Sequence, residues 1–136
     1  MSNIIYPVCL LVMWTMSISL YVLYTRVSSA LAGKINPVYF RLLQGSDVPE
    51  AVIKSTRHWA NLFEAPVLFY LVCVLIIITG IGSNWFTGLA WCYVVARVVH
   101  SLIHLGYNHV MHRLYAFTVS QIVLLTMWIM LIIQVK

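Results

Sequence analysis

Arg57, Asn61 and Glu64 set a permanent cation, an amide and an acid at offsets of zero, four and seven, just ahead of the apolar run Val67 to Thr79. On a helix turning about 100° per residue, those offsets bring the three side chains within about 60° of one another. Ionisable groups at membrane depth are costly and normally face a bundle interior or a wet cavity, so the stripe points to a polar site. The structural alternative is that Arg57 pairs with Glu64 while Asn61 hydrogen-bonds a neighbouring helix. Arg97, His100 and His104 share a second helical face, and Arg113 follows shortly after. Three arginines around one acid imply an anionic guest. Glu64 could receive an ammonium group while arginines hold carboxylates, which suits an amino-acid-like or peptide-like ligand. For Arg97 and Arg113 the alternative is that each snorkels to the membrane interface.

His100, His104, His109 and His112 lie close together in sequence. The first two, one turn apart, could share a metal, and a membrane bundle with paired histidines could also hold haem. No second carboxylate or cysteine joins them, so no metal ligand is assigned. Cys9, Cys73 and Cys92 are scattered through apolar runs without CxxC spacing, which reads as buried free thiols without a catalytic role.

The elements that must carry these residues are membrane spans. A chain of 136 residues that is 62% hydrophobic, 8% charged and of mean hydropathy +0.95 cannot clothe a soluble surface. The net charge of +5 comes from eight basic residues with no basic run, which argues against nucleic acid as a partner and leaves membrane lipid. Apolar stretches of about 20 residues or more mark one domain over 1–136 with spans at about 4–32, 49–79, 85–105 and 109–134. The first reads as a retained span rather than a cleaved signal peptide, because no basic residue precedes it and Arg26 separates it from Ala30-Leu31-Ala32.

Arg26 to Lys54 reads as a loop outside the bilayer, with turn signals at Gly33, Asn36-Pro37 and Gly45-Ser46-Asp47. Asp47 is the expected N-cap of a helix starting at Pro49-Glu50. Pro66 cannot donate to the carbonyl of Leu62, so a kink is expected beside Glu64. Gly80 to Asn84 forms a turn, Trp85, Trp91 and Tyr93 suit an interfacial belt, and Gly106-Tyr107-Asn108 ends the third span. The result is an all-α membrane protein, a four-helix antiparallel bundle. Basic residues concentrate in the first loop and beside the third, so the positive-inside rule places both termini outside the cytoplasm. All the polar positions named above then gather at the cytoplasmic end.

Arg57-x-x-x-Asn61-x-x-Glu64-x-x-x-x-x-Tyr70 and Arg97-x-x-His100-x-x-x-His104-x-Gly106, followed by Arg113, resemble the MAPEG proteins, the membrane-associated proteins in eicosanoid and glutathione metabolism. The likeness covers nearly the whole chain, and its third and fourth spans are most similar to the prostaglandin E synthase branch. It implies a homotrimer that binds glutathione between subunits near the cytoplasmic face, with transferase or peroxidase activity on lipophilic electrophiles. By this resemblance Arg57, Asn61 and Glu64 hold the glutathione backbone, with Glu64 facing its amino group. Arg97, His100 and His104 line the pocket, and Arg113 stabilises the glutathione thiolate. The chain departs from the family in carrying His104 where tyrosine is frequent, and Leu114 where a hydroxyl often follows the arginine. Phe117 stands where the prostaglandin branch has tyrosine, and the first loop lacks a clear match to an arginine that some relatives place after helix one.

Overall fold

A computed structural model describes residues 3–36, 38–43 and 48–135. They form α1 (Ile5–Leu31), α2 (Tyr39–Leu42), α3 (Glu50–Leu62), α4 (Ala65–Thr79), α5 (Asn84–Leu105) and α6 (Val110–Gln134), with no strand among the described residues. Helices Ile5–Leu31, Glu50–Thr79, Asn84–Leu105 and Val110–Gln134 are long and apolar enough to cross a membrane. They pack as an antiparallel four-helix bundle in which α1 lies against α3 and α5, and α6 against α5 and α4.

The second span is broken where the sequence predicts. Pro66 occupies the second position of α4, and the chain leaves helical geometry at Phe63 and Glu64, the latter at φ −94°, ψ −91°. A proline at that point removes one helical donor and crowds the carbonyl four residues back, so α3 and α4 meet at a bend. Glu64 sits in the bend itself. At the other turns, Gly80 closes α4 at φ 70° and the Ser83 hydroxyl accepts the amide of Phe86 to start α5. Gly106 ends α5 so tightly that a β-carbon there would lie 2.8 Å from the carbonyl oxygen of Leu102.

Several expectations change. Arg26, read as the start of the first loop, lies within α1, which stays helical through Leu31, near the bound expected for the first span. Arg26 is retained there by Thr56, to which its Nη2 donates at 3.2 Å, and by the ring of Phe40 at 5.7 Å. Likewise Lys54 belongs to α3, where it pairs with Glu50 at 2.7 Å. The N-cap position of α3 falls on Pro49; Asp47, the Gly45-Ser46-Asp47 turn and Pro37 lie outside the described residues. Tyr93 belongs to no interfacial belt: it shares the inward face of α5 with Phe86, Ala90, Val94 and Arg97, is fully buried, and stacks on Phe69 at 4.4 Å. Of the three free cysteines only Cys73 is buried, while Cys9 and Cys92 face outward.

The bundle interior divides along its length. Around Tyr93 an apolar core gathers Leu11, Phe69, Ile76, Phe86, Leu124 and Met127. Toward the other end the buried positions turn polar, with Thr25, Ser55, His58, Arg97, His100, Ser101 and His104. In that half α1 and α3 are joined by Thr25 to Ser55 at 3.0 Å and by Trp59 to Ser19 at 2.9 Å. Lipid gives helices no hydrophobic reason to associate, so such interhelical hydrogen bonds and close packing take over that task.

Candidate functional site

A cavity of about 520 Å³ opens in the polar half, bounded by α3, α5 and the start of α6. Arg57, Asn61 and Glu64 line one side of it, so the stripe read from the sequence survives the bend as a single wall. His100 and His104 form its floor from α5. Val110, Leu114 and Phe117, spaced by four and three along α6, form an apolar wall in which Arg113 is set. The alternative pairing of Arg57 with Glu64 is absent: among the described residues the ion pair present is Lys54–Glu50. Arg57 and Glu64 are both exposed on the chain and open to a guest.

Arg113 is the most constrained of the lining cations. Its Nη1 donates to Asn108 Oδ1 at 3.0 Å and approaches His104 Nε2 at 3.4 Å, while its main-chain oxygen accepts Nδ1–H of His100 at 3.1 Å. Asn108 reaches that place because it adopts the left-handed conformation, φ 52°, which asparagine tolerates better than most residues. An arginine held at both its carbonyl and its guanidinium does not swing freely to the interface, which separates Arg113 from a snorkelling anchor.

Arg97 corrects the expectation drawn from the family resemblance. It does not line the cavity; it is fully buried behind it, its Nη2 donating to the main-chain oxygen of Asn61 at 3.1 Å. That carbonyl belongs to the last turn of α3, where the helix cannot satisfy its own acceptors and a cation is favoured by the helix dipole. Arg97 therefore secures the bend from the inside and positions Asn61 and Glu64. Snorkelling is also ruled out for it.

The sequence reading passed over His58, which is fully buried beside the cavity floor. Its ring lies 5.0 Å from that of His104 and 5.8 Å from that of His100. Ser101 explains its orientation. The Ser101 hydroxyl lies 2.9 Å from the Arg97 carbonyl, accepts Trp14 Nε1–H at 3.1 Å and meets His58 Nε2 at 2.8 Å. One hydroxyl thus ties α1, α3 and α5 together. A signal for His58 did exist, since Val52, Ser55, His58 and Leu62 recur at spacings of three, three and four along the buried face of α3. Despite this histidine cluster, no group of three His, Cys, Asp or Glu among the described residues could hold a metal ion. The rings of His109 and His112 lie 4.5 Å apart at a tilt of 43°, both exposed and apart from the cavity lining.

Fold and site together define a four-span integral membrane protein with a polar, cation-lined pocket at one end of its bundle. The chain belongs to the MAPEG family, whose model matches residues 4–133. That family includes glutathione transferases and related enzymes. No curated protein and no solved structure gave a significant match to the chain.

Proposed function

We propose that the protein is a glutathione-dependent transferase or peroxidase acting on lipophilic electrophiles that reach it through the bilayer. The observation that carries this reading is the division of the cavity into a polar wall on α3 and an apolar wall on α6, with Arg113 set into the latter. Glutathione is a zwitterion with two carboxylates, one ammonium and a thiol. Arg57 matches a carboxylate, Asn61 a peptide group and Glu64 the ammonium, which leaves the sulfur for Arg113. Val110, Leu114 and Phe117 then receive the apolar partner next to the sulfur.

Arg113 supplies the chemistry. A free thiol has a pKa near 8.5, so at neutral pH it is mostly the poor nucleophile; a guanidinium beside it favours the thiolate. Arginine remains charged throughout and donates hydrogen bonds directly to sulfur. Exposure of Arg57 and Glu64 on the protomer supports a homotrimer in which a neighbouring subunit completes the pocket. The basic first loop and Arg113 support placing this end of the bundle at the cytoplasmic face, with both termini opposite.

The test is equilibrium binding of glutathione to the detergent-solubilised protein, with conjugation of an aryl halide followed in parallel. Binding with turnover is expected. Binding without turnover of any electrophile or peroxide would leave a binding or scaffold protein of the same fold, and absence of binding would overturn the reading.

A further inference from the structure

Thiolate formation needs a place for the proton, and Arg113 cannot accept it because a guanidinium carries no free lone pair. Three other ionisable groups line the cavity with it as candidate acceptors: Glu64, His104 and His100. Glu64 lies on the opposite wall and, on the reading above, faces the ligand's ammonium. His104 turns Nε2 toward Arg113 Nη1 at 3.4 Å, which occupies that lone pair and leaves its proton on Nδ1.

His100 differs from both. Its Nδ1 meets the main-chain oxygen of Arg113 at 3.1 Å, and a carbonyl only accepts, so Nδ1 holds the ring proton and Nε2 is left with a lone pair. That Nε2 is buried and has no partner, in a side chain only 3% exposed that nevertheless lines the cavity. The groups facing it are His58 from α3, Arg97 and His104 from α5, and Arg113 with the Phe117 ring from α6. His58 turns its Nε2 to the Ser101 hydroxyl at 2.8 Å, and neither of its nitrogens bonds His100 Nε2.

Resting on the proposed function, we propose that His100 is the base that takes the proton from the thiol of bound glutathione. The S–H bond breaks with its electron pair remaining on sulfur, and an N–H bond forms at Nε2. The resulting imidazolium keeps its Nδ1–H on the Arg113 carbonyl, so one residue, Arg113, steadies both halves of the separated charge. When sulfur bonds to an electrophilic carbon, the displaced pair leaves with a halide or moves onto the neighbouring atom of a conjugated acceptor. The proton on Nε2 passes to the carbanion of a conjugated acceptor or, where a halide leaves, to solvent, and His100 returns to its neutral form.

The proton count decides the matter. Glutathione is titrated into the detergent-solubilised full-length protein at neutral pH, in buffers of different ionisation enthalpy, while the ultraviolet band of the thiolate is recorded. S-methylglutathione, which has no thiol proton, is the control. We expect the thiolate band to appear with far less than one proton released to the buffer per thiolate. His100→Gln should form thiolate only with release of a full proton, lose the acidic limb of its kcat/KM profile, and turn over roughly a hundredfold more slowly, the usual scale of general-base catalysis. One full proton released by the wild-type protein would overturn the proposal, as would a His100→Gln enzyme with wild-type rate and pH profile. Should that variant fail to assemble, the wild-type proton count decides alone. Failure of both glutathione and its S-methyl derivative to bind would instead sink the functional reading itself, and this proposal with it.

Discussion

The main-chain oxygen of Arg113 on α6 accepts the Nδ1–H of His100 on α5 at 3.1 Å. This bond spans the tight turn at Gly106 and links two helices whose packing forms the floor and one wall of the pocket. It also makes the position of the Arg113 guanidinium depend on a histidine 13 residues earlier. Such a hydrogen bond adds to the close packing that holds membrane helices together.

Arg113→Leu is expected to leave glutathione affinity within about tenfold of wild type, because the proposed carboxylate and amino contacts are with Arg57 on α3 and Glu64 in the bend, yet to abolish the thiolate band. Turnover should fall by roughly a hundredfold or more, the scale on which a positioned charge stabilises a reacting anion. Arg113→Lys should retain part of both signals. Normal thiolate formation by the leucine variant would reduce Arg113 to a structural link between α5 and α6.

Glu64→Gln should weaken glutathione binding by about tenfold or more, since a hydrogen bond to a charged group contributes about 1.5 to 3 kcal/mol. Because Glu64 has no ion-pair partner among the described residues, the variant should unfold at the wild-type temperature. A lowered Tm with unchanged affinity would mean that the carboxylate serves the assembly rather than the ligand.

Arg97→Met keeps much of the buried volume but removes the donor to the Asn61 carbonyl and the cation at the end of α3. The expected cost is about 2 kcal/mol of stability, read as a lower Tm in detergent, on the scale of a lost charged hydrogen bond. Affinity should fall only as far as the bend at Glu64 loosens. A variant with wild-type Tm and no glutathione binding would show instead that Arg97 touches the ligand.

Mass measurement in mild detergent should give three copies per particle. The pocket is open on the side where Arg57 and Glu64 are exposed, and a closed symmetric ring is the simplest way to cover it. A monodisperse monomer that binds glutathione with full affinity would remove the neighbouring subunit from the site.

The sequence by itself determined that four helices are long and apolar enough to cross a membrane and that the second bends at Pro66. It also put Arg57, Asn61 and Glu64 on one wall, because these properties follow from hydropathy, proline's missing donor and a repeat of 3.6 residues within one helix. Which helix a face meets, and how deeply a residue on it lies, depends on crossing and register between helices. Periodicity carries neither. Hence Arg97 and His100, neighbours on one face of α5, divide into a buried support for the α3 bend and a cavity-lining group with a free nitrogen. For the same reason Tyr93 became core rather than belt, and His58, adjacent to the polar stripe, became its buried neighbour through Ser101 and Trp14. Tertiary structure decided these roles because helix packing sets which partners, if any, lie within reach of a buried polar atom.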